Sequence, residues 1–65
     1  MTVREILQNV EVESDVTLCV YDPETEDAEY FDIYSSEARR HYDAEILYIY
    51  PNRTYGVVFE VAKED

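Results

Sequence analysis

Cationic side chains are scarce in this chain: five Lys or Arg stand against sixteen Asp or Glu, leaving a formal net charge of −11 over 65 residues. Binding to a nucleic acid rests on neutralising phosphates, so the one basic cluster, Arg39-Arg40-His41, argues against direct nucleic-acid contact. The same charge repels anionic membrane, and no stretch nears the ~20 apolar residues a span requires. Tryptophan is absent and Gly56 is the only glycine, which excludes a glycine-rich phosphate loop. Cys19 has no second cysteine to bridge to, and His41 is the only histidine, so neither a disulfide nor a Cys/His zinc cluster is expected. The opening Met1-Thr2-Val3-Arg4-Glu5 turns polar at once, with no apolar run of a signal peptide behind it. With a lone cysteine, that points to a reducing cytoplasm.

What is present is aromatic and acidic together. Seven tyrosines and two phenylalanines oppose a reading as a disordered acidic tail, which would be poor in aromatic and β-branched residues. Residues 1–65 give one small acidic domain with a thin core, since a chain near this size buries only about 60% of its unfolded surface.

The chain reads as α+β, in the order helix, hairpin, short helix, hairpin. Thr2 followed by Glu5 is a capping box, and Val3, Ile6, Leu7 and Val10 form one apolar stripe. Strand-like runs occupy 16–21, 29–34, 45–50 and 55–61. The first two join through the acidic turn 22–27, and the last two through Pro51-Asn52-Arg53-Thr54. Between the hairpins, Ser35 to Tyr42 carries serine caps, early Glu and late Arg, the charge order of a short helix, with a loop as the alternative. The expected result is one four-stranded, mainly antiparallel sheet with the first helix on one face. Val16, Leu18, Val20, Phe31, Ile33, Leu47, Ile49, Val57, Phe59 and Val61 should then meet the helix. The reverse face should show Cys19, Ile46 and Val58 among five tyrosines: Tyr21, Tyr30, Tyr34, Tyr48 and Tyr50.

Catalysis finds little support. A Cys19–His41 pair would lack an oxyanion-stabilising turn, and a single thin sheet leaves little volume for a cleft, so no enzyme activity and no cofactor are expected. An EF-hand loop starting at Asp22 fails at its sixth and twelfth positions, Asp27 and Ile33, which leaves a solvated acidic tip. Tyrosine is a normal strand residue, yet so many on one face point to an interface, where a rigid ring supplies area and its hydroxyl a hydrogen bond.

The pattern Thr2-Val3-Arg4-Glu5-Ile6-Leu7, then Asp15-Val16-Thr17-Leu18 and Tyr21-Asp22, resembles the small acidic proteins encoded by phages and mobile elements of Gram-positive bacteria. Some small acidic phage proteins inhibit CRISPR or restriction systems, so the resemblance implies a counter-defence inhibitor. From charge and tyrosines, the expected function is non-enzymatic blocking of a basic, nucleic-acid-binding protein surface through Asp22, Glu24, Glu26, Asp27, Glu29, Tyr30, Asp32, Tyr34, Tyr48 and Tyr50. The alternative is an assembly module or homodimer using the tyrosine face. Imitation of DNA would require clustering. A folded chain of this mass exposes roughly 4,300 Å², about one net charge per 400 Å², against about one per 110 Å² on duplex DNA.

Overall fold

Thr2 starts the first helix as its sequence requires. In the computed structural model, which describes residues 1–63, its hydroxyl accepts from the Glu5 amide at 3.2 Å. The Thr2 amide donates in return to the Glu5 carboxylate at 3.1 Å. That amide bond foremost, and then the Thr2 hydroxyl donating to the same carboxylate at 3.1 Å, hold the Glu5 carboxyl below its ordinary pKa. Helix α1 spans Val3–Asn9 and buries Val3 and Ile6, with Leu7 half-buried beside them. Val10 leaves the expected stripe: Asn9 Nδ2 donates to the Glu5 carbonyl at 2.8 Å, and the chain turns extended at Val10, which is exposed. Val12 packs against the core instead. Removing the cap with Thr2→Ala should cost about 1 kcal/mol, read as a lower urea midpoint with an unchanged slope.

Strands β1 (Val16–Asp22), β2 (Asp27–Asp32), β3 (Ile46–Asn52) and β4 (Gly56–Ala62) form one sheet in the order β2-β1-β4-β3, with α2 (Ser36–Arg39) between the hairpins. This is the expected α+β order, but the sheet is mixed. Each hairpin is antiparallel, while the central β1–β4 pair is parallel, with Leu18 opposite Phe59 and Val20 opposite Val61. Burial follows that order. Central strands β1 and β4 supply Val16, Leu18, Val20, Phe59 and Val61 to a core that also takes Val3, Ile6, Ile33, Ala38 and Ala44.

Three expectations need correction. First, Ile46 pairs with Val61 and Tyr48 with Glu60, so Leu47 is an extra residue in a bulge. The bulge reverses the alternation: Ile46 packs on the core and Leu47 is half-exposed. Second, β2 runs 27–32 rather than 29–34, so Ile33 is still buried but Tyr34 lies beyond the sheet. The Ile33 amide donates to the Val16 carbonyl at 3.2 Å, and the Tyr34 amide to Asp32 Oδ1 at 2.9 Å, turning the chain toward α2. Third, Ile49 returns to the α1 side, opposite Phe59, yet remains 53% exposed. Seven helical residues span only about 10 Å, too little to cover four strands spaced about 4.8 Å apart.

The second turn also differs from the expected 51–54. Pro51 and Asn52 stay in β3, and Asn52 Oδ1 accepts from the Thr54 and Tyr55 amides at 2.8 and 3.1 Å. Gly56 then takes φ +78°, and the following Val57 amide donates to the Asp15 carbonyl at 2.9 Å. Helix α2 is shorter than the expected 35–42: Ser35 caps it through the Ala38 amide at 3.2 Å, and turns follow to Ala44. Those turns tie back to α1, the Arg4 amide donating to the Tyr42 carbonyl at 2.9 Å and Arg4 Nε to Asp43 Oδ1 at 2.8 Å. Tyr42 in turn donates its hydroxyl to the Ile33 carbonyl at 2.7 Å.

Candidate binding surface

The β1–β2 hairpin gathers the six acids singled out in the sequence, and it uses them in two ways. Asp22 and Asp32 hold backbone: Asp22 Oδ1 accepts from the Glu24 amide and Asp32 Oδ1 from the Tyr34 amide, both at 2.9 Å. Glu24, Glu26, Asp27 and Glu29 are exposed, and among the described residues none of them forms a salt bridge. Of the six, among the described residues, only Asp22 has a cationic nitrogen within salt-bridge distance, Lys63 Nζ at 3.9 Å. Asp22 and Asp27 sit directly opposite each other in the ladder, where like charges destabilise a strand pair. Glu26 adopts φ +61°, an uncommon backbone for a non-glycine residue, at the tip of this turn.

Strand parity places Asp27 and Glu29 on the α1 side of the sheet, with Tyr30 and Asp32 on the reverse. On the α1 side a cleft of about 230 Å³ runs over Val20 and Phe31, with Asp22, Asp27 and Glu29 as acidic walls and His41 and Lys63 contributing to its lining. The floor is apolar and the walls are anionic, which suits the aliphatic stem and charged head of a lysine or arginine side chain. His41, considered in the sequence only as a partner for Cys19 and as part of the basic cluster, and Lys63 reach this cleft because the tertiary fold brings the end of α2 and the C-terminal segment to the hairpin. Among the described residues no group of three or more His, Cys, Asp or Glu is arranged to hold a metal ion.

The reverse face is only partly open. Register aligns Tyr30, Cys19, Glu60 and Tyr48 in one row across the sheet, and Asp32, Thr17, Val58 and Tyr50 in the next. Tyr55, absent from the expected set, stacks on Tyr30 with ring centroids 4.4 Å apart and planes 2° from parallel. Cys19 and Val58 were expected on an uncovered face; instead they are buried. Tyr34 belongs to neither row and lines a groove with Leu7, Val10 and Val12 at the far end of α1. The face therefore leaves Tyr48 widely exposed and Tyr30 partly so, while Tyr50 is half-buried.

Burial, then the charge of Glu60, pushes the Cys19 thiol up, although Tyr30 and Tyr50 oppose the shift by hydrogen bonding to it. The Tyr50 hydroxyl is pushed up to about 12, chiefly by burial and then by Cys19 and Glu60, to which it donates at 3.4 Å. Both groups hold their protons more tightly folded than unfolded. Their contribution to stability is full below the unfolded values, near pH 9 for the thiol and 10 for tyrosine, and is lost as pH rises through the folded ones. The urea midpoint should accordingly fall from about pH 9 upward, most steeply between about 10 and 12, and Tyr50→Phe should flatten the upper part of that fall. A midpoint independent of pH across this window would contradict the packing assigned to Tyr50.

No family model, curated protein or solved structure matches the chain. No helix among the described residues is long and apolar enough to cross a membrane.

Proposed function

We propose that this chain is a non-catalytic binding protein whose β1–β2 hairpin occupies a cationic surface of another protein, of the kind that holds nucleic acid. The observation that carries the reading is the set Glu24, Glu26, Asp27 and Glu29: four exposed carboxylates on one hairpin, without a cationic partner among the described residues. A net charge of −11 would steer such a partner in and make association fast and salt-sensitive. The exposed ring of Tyr30, on the same hairpin, adds contact area that screening does not remove. Spread over the 4756 Å² of exposed surface, eleven net charges amount to about one per 430 Å². That is some fourfold below the charge density of duplex DNA, so imitation of DNA falls to the hairpin rather than to the whole surface. In its sharpest form the reading is a cytoplasmic counter-defence inhibitor of an anti-CRISPR or anti-restriction kind, which the resemblance to small acidic phage proteins supports. Capture from a host lysate at low and high salt tests it. One partner should persist at high salt, be displaced by added duplex nucleic acid and be lost with Tyr30→Ser. If all capture disappears with salt and no tyrosine change matters, the acidity is a solvating surface alone.

A further inference from the structure

The cleft on the α1 side of the hairpin runs from apolar to acidic. Its ladder rows are Leu18 with Phe31, then Val20 with Glu29, then Asp22 with Asp27 beside the turn. Phe31 packs on the core along one side and, being only partly buried, borders the cleft with the other. At about 230 Å³ the cleft is smaller than the ~300–1,000 Å³ of pockets that hold a whole small molecule, so the occupant it fits is a single side chain. One cationic side chain already lies against it. The Lys63 amide donates to the Tyr21 carbonyl at 2.7 Å, which carries the chain on past β4 and brings Nζ to 3.9 Å from Asp22 Oδ2. That distance is too long for a hydrogen bond, and the Lys63 side chain stays 52% exposed. The cleft therefore accepts a cation from its own chain and holds it loosely.

We infer that this cleft seats one arginine side chain of the cationic partner, and that Lys63 keeps the place until the arginine displaces it. The inference rests on the proposed reading of the hairpin as a surface for cationic proteins, and adds the contact at its centre. Chemistry selects arginine. Asp22 and Asp27 face each other across the ladder and Glu29 lies one row further along, so the negative charge is divided among neighbouring carboxylates. A guanidinium presents five N–H donors in a planar fork that can bridge two such carboxylates, whereas the Lys63 ammonium reaches one. Its apolar stem covers Val20 and Phe31. A cation between Asp22 and Asp27 also relieves the like-charge opposition that weakens this end of the strand pair. Glu24 and Glu26 do not line the cleft, so they steer the partner without touching the seated side chain.

A blocked peptide with one arginine among glycines, titrated into ¹⁵N-labelled protein, tests the seat. Amides of Val20, Phe31 and His41 should shift together with those of Asp27 and Glu29, and a citrulline peptide of the same shape should move none of them. Two double variants that remove the same charge separate seating from steering. Asp27→Asn with Glu29→Gln should weaken the single-arginine peptide by about 2- to 30-fold, the worth of two exposed ion pairs. Glu24→Gln with Glu26→Gln should leave its affinity unchanged. Lys63→Gln should tighten binding by about 1.4- to 5-fold, because the competing cation is gone. Arg53→Gln makes the same change in net charge from beyond the other end of β4, roughly 20 Å away or more, and should not tighten it. Circular dichroism checks that each variant is folded. Equal losses from the two double variants overturn the inference, as do equal gains from Lys63→Gln and Arg53→Gln, or citrulline binding as well as arginine. The seat can also fail by itself. An arginine-rich peptide that shifts the hairpin, beside a single-arginine peptide that leaves Val20, Phe31 and His41 unmoved, refutes the seat and leaves the proposed function standing. If the arginine-rich peptide also leaves the hairpin unmoved, both fall.

Discussion

Converting Glu24, Glu26, Asp27 and Glu29 together to their amides should weaken binding to a cationic protein surface by roughly 5- to 700-fold. Exposed ion pairs are worth ~0.2–1 kcal/mol each, so four of them give about 1–4 kcal/mol, at 1.4 kcal/mol per factor of ten. Asp22 and Asp32 are left in place because their carboxylates hold the Glu24 and Tyr34 amides, so changing them would disturb the hairpin itself. The loss should fall mainly on the association rate and shrink as salt is added, since rim charges steer encounter more than they lock the complex. The variant's own stability should hold or rise, because Asp27 faces Asp22 across the ladder and neutralising it relieves like-charge repulsion. Stopped-flow association at two ionic strengths, beside a urea titration, measures both effects. Unchanged association rates would remove the hairpin acids from the binding surface.

Gly56→Ala should cost about 3 kcal/mol. Holding alanine in the left-handed region at φ +78° costs about 1–2 kcal/mol. Its Cβ would also stand 2.6 Å from the Asp15 carbonyl oxygen, which is backbone and also accepts the Val57 amide at 2.9 Å. Relieving that overlap loosens the Val57 bond, worth about 1 kcal/mol, where β4 enters its parallel pairing with β1. Domains hold roughly 0.05–0.15 kcal/mol per residue, so a chain this size has about 3–10 kcal/mol in all. The substitution should therefore remove a third of the stability or more, and Gly56→Val should leave the chain unfolded at room temperature. Equal urea midpoints for wild type and Gly56→Ala would contradict the close approach of Gly56 to Asp15.

Local signals carried well from sequence to structure. Thr2 and Glu5 form the capping box that their spacing implies, Ser35 caps α2, and the alternation of Val16, Leu18 and Val20 marks the buried face of β1. Long-range facts did not carry. The parallel β1–β4 pairing depends on how two hairpins dock, and neither hairpin's sequence encodes the other's register. Leu47 was misplaced because a bulge inserts one residue without changing composition, and everything before it then switches face. The acids of the hairpin were legible as a group, but the division into structural Asp22 and Asp32 and four free carboxylates depended on hydrogen bonds visible only in the fold. Tyr55 was missed for a similar reason: it lies in a turn, and only the path of the chain through Gly56 lays its ring on Tyr30.

The central claim is that the β1–β2 hairpin, rather than the acidity of the chain as a whole, is the surface that meets a cationic partner. A ¹⁵N-labelled sample titrated with an arginine-rich peptide tests it most directly, because every acidic segment reports separately. Amide shifts should concentrate on Asp22 to Asp32 and on Lys63 beside them, saturate together, and leave Glu11, Glu13, Asp15 and Glu37 nearly unmoved. Shifts spread evenly over all the acidic segments, or centred on the linker from Glu11 to Asp15, would contradict the account.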